Sequence, residues 1–253
     1  MARTRKTKQS AAVSQNNNNR QNKRRKPLNV NVFAKDITPL TKNQKLVFDS
    51  WEKGQNLFIH GMPGTGKTFI GLYLALKDIF DENSPRQKVY IVRSLVPTRE
   101  IGFMPGSHED KSSLYQIPYK NMVREMFDLD SDDQYEILYG NLKTQETISF
   151  WSTSFVRGVT IDDAVILVDE IQNLSFHESA SIITRAGLNT RVIFCGDTEQ
   201  SDLAKITERN GILNFMKIVN AMESFDMVDF GIDDIVRSGL VKEFLIAKYH
   251  LGL

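Results

Sequence analysis

The chain has 253 residues, 32 basic and 31 acidic side chains, 41% hydrophobic content and a single cysteine, Cys195. That composition excludes an intramolecular disulfide framework and a collagen-like chain, and no apolar run approaches the roughly 18–20 residues that span a bilayer. It fits a globular protein in a reducing compartment, so a cytoplasmic location is expected.

The net charge of +1 hides a split, because residues 1–27 carry nine basic side chains and no acid, leaving −8 on residues 28–253. Residues 1–35 are expected to be a disordered basic tail: the run Asn16–Asn19 and a handful of apolar side chains cannot offset the entropy of ordering. Such a flexible cation either binds nucleic acid without sequence preference or only keeps the chain soluble. Residues 36–253 are expected to form one α/β domain.

Along that domain, apolar runs alternate with helical patterns. Leu57 to His60 is a predicted strand, followed by a glycine-rich turn and a helix over Lys67 to Ile79 with apolar residues at Ile70, Leu72, Leu74, Leu76 and Ile79. Next come a strand at Val89 to Val92, a helix over Leu114 to Phe127, a strand at Ala164 to Val168, and a helix over Phe176 to Ala186. A strand at Val192 to Cys195, a helix over Gly211 to Met222, a weaker strand at Phe225 to Phe230 and a helix over Gly239 to Tyr249 complete the pattern. Buried strands separated by helices predict a mostly parallel sheet covered on both faces.

The run Gly61, Met62, Pro63, Gly64, Thr65, Gly66, Lys67 and Thr68, with Phe69 next, fits G-x-x-x-x-G-K-S/T and sits between a predicted strand and a predicted helix. Backbone amides at the helix start would cradle phosphates, Lys67 would reach the β and γ phosphates, and Thr68 would ligate magnesium. The strand Ala164–Val168 ends in Asp169 and Glu170: Asp169 would hold the magnesium and Glu170 would orient or deprotonate the attacking water. A third strand ends in Gly196, Asp197 and, after two more residues, Gln200, a candidate contact to the γ phosphate or its water. The four histidines show no metal-ligand spacing, and Cys195 fits a small core residue.

With these motifs in place, the chain resembles the PhoH family of P-loop ATPases, whose name refers to induction on phosphate starvation. The resemblance covers most of residues 38–245 and rests on GMPGTGKT, VILVDEIQN, CGDTEQSDL, the EIGFMPGSHEDK stretch and the FVRGVT segment. It implies a RecA-like P-loop NTPase fold that binds ATP with Mg2+, related to helicase motor domains and assembled as a ring. Gln44, in LTKNQ, resembles the glutamine that reads adenine in related helicases. Arg237, in IVRSGLV, resembles the family's arginine, although Ser238 and Gly239 stand where a histidine-proline pair is usual. Beyond Gln200 only 53 residues remain, fewer than a second α/β domain needs, so the site is expected to close against a neighbouring subunit. Arg237 is the first candidate for a stabilising arginine supplied in trans, with Arg157 and Arg93 next. The overall expectation is an ATPase acting on single-stranded RNA or DNA as a homo-oligomer, a hexameric ring; the alternative is a nucleotide-gated assembly with little turnover.

Overall fold

The apolar runs of the sequence become strands buried on both faces. The computed structural model describes residues 35–94, 108–129, 131–153, 156, 158–197 and 206–252. Among these, β1 (Asn56–Gly61), β2 (Lys88–Arg93), β3 (Ile148–Ser152), β4 (Ala164–Asp169), β5 (Arg191–Cys195) and β6 (Phe225–Phe230) form one sheet in the order β3-β2-β4-β5-β1-β6. Every neighbouring pair is parallel, so all six carboxyl ends lie on one rim. β5 sits between β1 and β4, which separates the strand entering the glycine-rich loop from the strand carrying the acid pair.

Alternate residues feed two cores. Leu57, Ile59, Val89, Ile91, Val165, Leu167 and Ile193 face a layer of helices α1 (Lys42–Glu52), α2 (Lys67–Phe80), α3 (His108–Met126) and α4 (Asp132–Thr144). Phe58, Val92, Ile166, Val168, Val192 and Phe194 face α5 (Phe176–Ile183) and α6 (Ile206–Asn220). The last helix, α7 (Gly239–His250), buries none of its residues. No helix among the described residues is long and apolar enough to cross a membrane.

The predicted strands recur within a residue or two of their expected ends, whereas several helices depart from expectation. α5 stops at Ile183 because residues 185–187 are drawn into a bridge: Ile161 N donates to Arg185 O and Gly187 N to Ile161 O. α6 begins five residues before Gly211, in the polar run 206–210. Two α-helices and one strand were not predicted at all. α1 starts at Thr41, whose hydroxyl caps Gln44 N; α4 starts at Ser131, which caps Gln134 N; and β3 adds an edge strand beside β2.

The amino-end rim is tied by a buried charge knot. Asp78, in the last turn of α2, accepts from Arg86 Nε (2.8 Å), Ser84 Oγ (2.5 Å) and Arg191 (3.4 Å). Burial pushes the Arg191 pKa down to about 10 against the opposing pull of Asp78, and its guanidinium lies over the Trp51 ring. Trp51 is thereby a core residue.

Candidate functional site

Where β1 ends, Met62 N donates to Phe230 O (2.7 Å), which seats the glycine-rich loop beside β6. The loop leads into α2, whose cap residue Gly66 offers no side chain to the first helical amides. Those amides stay directed at whatever anion occupies the loop. Thr65 is fully buried; its hydroxyl donates to Met62 O (2.9 Å) and its carbonyl accepts from Gln44 Nε2 (3.1 Å). Gln44 Oε1 in turn accepts from Leu40 N (2.7 Å). The buried Gln44 amide thus braces the loop from α1 while retaining one N–H and one lone pair for a ligand.

The Lys67 ammonium is folded onto its own loop, donating to Gly61 O (2.8 Å) and Met62 O (2.6 Å). Burial lowers its pKa, and the nearby Asp197 and Asp169 carboxylates oppose that shift. Phe69 follows in the first turn of α2, its ring packed against the core.

Opposite the loop, β4 is buried along its whole length and delivers Asp169 at the rim. Thr68 Oγ1 donates to Asp169 Oδ1 at 2.8 Å, joining residues 101 positions apart. The other carboxylate oxygen accepts from the Tyr119 hydroxyl at 2.6 Å. Glu170 takes the left-handed backbone conformation, with φ of 53°, and turns the chain into a short 3-10 helix over Ile171–Asn173. That conformation costs a side-chain-bearing residue on the order of 1–2 kcal/mol, a strain that concentrates at functional positions. The Glu170 carboxylate receives a short hydrogen bond from Gln172 Nε2 and lies 3.7 Å from the Arg93 guanidinium. Burial, and then the Asp169 charge, push its pKa up; Arg93 and Gln172 oppose the shift. Gln172 Oε1 also accepts from Asp197 N (3.0 Å), so the exits of β4 and β5 are joined by one side chain.

This donor set fits magnesium. Two neighbouring ligands of an octahedral ion with metal–oxygen distances of about 2.1 Å lie about 3 Å apart, close to the Thr68–Asp169 separation of 2.8 Å. Magnesium is ordinarily held by one or two protein oxygens, with phosphate and water completing the shell, and these two side chains supply that number.

Of the residues singled out from sequence, the fold brings together the phosphate loop, Gln44, Lys67, Thr68, Asp169, Glu170, Arg93 and Arg237. Arg93 is a partner of Glu170 in its own chain, not a free arginine. Arg237 is exposed, its stem against Gly64 of its own loop, and forms no ion pair with Asp233 or Asp234 among the described residues; Asp234 instead accepts from Asn43 Nδ2 (2.7 Å) and Gly231 N (2.9 Å). Gln200, Arg157 and residues 1–34 of the basic tail lie outside the described residues. Sequence reasoning missed Tyr119 and the role of Gln172. Gln172 stood two places from Glu170 within a quoted motif, while Tyr119 carried no signal beyond being an aromatic residue in a helix.

A family model described as PhoH-like protein matches residues 36–249. The chain belongs to that family. Protein PhoH of Escherichia coli (strain K12) is 30% identical over 219 residues, covering 85% of this chain and 59% of the relative. The PhoH-like protein of Mycobacterium leprae is 28% identical over 215 residues, again covering 85% of this chain and 59% of the relative. The chain therefore spans about three-fifths of the length of these PhoH relatives. Among solved structures, the large terminase of a thermophilic bacteriophage matches with a TM-score of 0.50 at 12% identity, over 82% of this chain and 50% of that one. This likeness is one of fold, a RecA-like P-loop NTPase with a parallel sheet between helical layers. The PhoH match takes in the phosphate loop, the acid pair and Arg237 together.

Proposed function

We propose that the chain is a magnesium-dependent ATPase that acts on single-stranded RNA or DNA as an oligomeric ring, in the simplest form a hexamer. The observation that supports the reading is the 2.8 Å Thr68–Asp169 contact, a hydroxyl and a carboxylate whose chemistry fits magnesium at the start of α2. ATP would lie with its phosphates in the loop from Gly61 to Thr68, its adenine toward Gln44. Lys67 would exchange its carbonyl partners for phosphate oxygens. Magnesium, held by Thr68 and Asp169, would neutralise charge on the phosphates. Glu170 would orient the attacking water and accept its proton, and Gln200 would contact the γ phosphate or that water. Arg237, set against its own loop, is proposed to stabilise the γ phosphate within its own chain, a revision of the trans role expected from the length of the chain.

A neighbouring copy is supported by α7. Leu240 (81% exposed) and Phe244 (65%) project from α7 and Leu251 (72%) from its C-cap, while Leu245 of the same helix flanks Gly64. A second subunit covering that face would sit beside the nucleotide. The basic residues of the tail are proposed to tether nucleic acid, since the rest of the chain carries net negative charge.

One observation favours a second reading, a nucleotide-gated assembly with little turnover: the Glu170 carboxylate is already engaged by Gln172 and faces Arg93. Phosphate release from ATP with magnesium separates the two. Turnover that falls at least about a hundredfold in Glu170→Gln, and rises with single-stranded RNA in the wild type, supports the motor. ATP binding without turnover moves the assignment to the gated assembly.

A further inference from the structure

We propose that Tyr119 is a positioning residue for the metal site, fixing the Asp169 carboxylate through its hydroxyl; this rests on the reading of Asp169 as the metal-holding acid. An ionised carboxylate only accepts hydrogen bonds, so the 2.6 Å contact has Tyr119 as donor to Oδ2. Thr68 donates to Oδ1 at 2.8 Å. Held at both oxygens, the carboxylate plane loses the rotation that a terminal carboxylate otherwise keeps, and Oδ1 stays turned to the phosphate loop. The tyrosine is itself immobilised: it is 2% exposed, and its ring meets the Phe150 ring at 5.5 Å with planes 61° apart.

The same helix supports the second acid. One turn before Tyr119, the Tyr115 ring lies 5.7 Å from the Arg93 guanidinium, which in turn lies 3.7 Å from Glu170. Residues four apart share a helix face, so one face of α3 steadies Asp169 directly and Glu170 through Arg93. Partners that orient a metal-holding group in this way commonly contribute about 10–100-fold to metal affinity.

The alternative is that Tyr119 is only a core aromatic whose hydroxyl takes the nearest acceptor. The test measures the affinity for ADP in EDTA and in magnesium, for wild type, Tyr119→Phe, Val123→Ala and Asp169→Asn. Val123 is a buried neighbour on α3 with no polar group, so its truncation reports packing alone. Tyr119→Phe is expected to match wild type in EDTA and to lose about tenfold of the gain that magnesium brings, while Val123→Ala lowers the melting temperature and keeps that gain. Should the Phe variant not fold, Tyr119→Met is a second hydroxyl-free filler. A magnesium gain unchanged in the hydroxyl-free variant, or reduced equally by Val123→Ala, overturns the proposal while leaving the metal assignment standing. A full magnesium gain in Asp169→Asn overturns the assignment itself.

Discussion

Arg237 lies against Gly64 of its own phosphate loop: a Cβ added to Gly64 would meet Arg237 Cγ, and Leu245 Cδ1, at 3.0 Å. Val236 N donates to Gly64 O (3.2 Å) and fastens the same segment to the loop. This placement supports the proposal that Arg237 serves the site of its own chain. Mixing inactive Lys67→Ala chains with inactive Arg237→Ala chains is expected to leave ATP hydrolysis unrestored, and recovered activity in the mixture would contradict the assignment. Gly64→Ala adds left-handed strain, at φ of 75°, to that crowding. That strain, about 1–2 kcal/mol, is borne by the folded chain, so the melting temperature should fall by a few degrees, and a loop that shifts to relieve it should bind ADP about 5–30-fold more weakly.

Gly196 marks where the β5 exit meets the acid pair. A Cβ there would meet Gln172 Oε1 at 2.4 Å and Ile171 N at 2.8 Å, so Gly196→Ala must displace the glutamine that bonds both Glu170 and Asp197. Turnover should drop with the far-ultraviolet circular dichroism unchanged. An alanine variant with wild-type turnover would remove Gln172 from any role in holding Glu170.

Tyr139 is 6% exposed and its hydroxyl has no hydrogen-bond partner among the described residues. Tyr139→Phe should therefore raise stability near neutral pH by about 1 kcal/mol, read from urea unfolding. Burial, aided by the Glu136 charge, pushes its pKa up to about 12. Because the folded value lies above the unfolded one near 10, its contribution is complete below about pH 10 and is lost as pH rises toward 12. The alkaline loss of stability should be shallower in Tyr139→Phe, and an identical slope in the two proteins would refute the linkage.

Asp78 neutralises Arg86 and Arg191 in a buried setting, so Asp78→Ala leaves two cations without their carboxylate. Breaking a buried pair from one side costs about 3–5 kcal/mol, and the melting temperature should fall accordingly. Where the variant stays folded, its ADP affinity should equal that of wild type, because the knot lies on the rim opposite the phosphate loop. Loss of nucleotide affinity in folded Asp78→Ala would contradict that separation.

The phosphate loop, the acid pair and the parallel sheet were legible because each depends on local chemistry: a glycine pattern between a strand and a helix, and apolar runs ending in carboxylates. β3 escaped because its half-buried positions at Ser149–Ser152 mix polar and aromatic residues and show no apolar run. α1 and α4 escaped because most of their surface is polar, with core residues such as Val47, Leu138 and Leu142 sparsely placed. Tyr119 was illegible for a different reason. Its partner lies 50 positions away, and only the packing of α3 over the sheet reveals which tyrosine of that helix reaches Asp169.

The interposition of β5 gives the site a built-in ruler. Two hydrogen-bonded strand spacings, together about 9–10 Å, separate the line of β1 from the line of β4, and main-chain geometry sets that span. Substitutions on the faces of the sheet can alter how well the cores fill without rescaling the gap between the glycine-rich loop and the acid pair. A chain of this kind can drift far in composition while its reactive groups keep their separation, and the residues least free to change are the few that reach across.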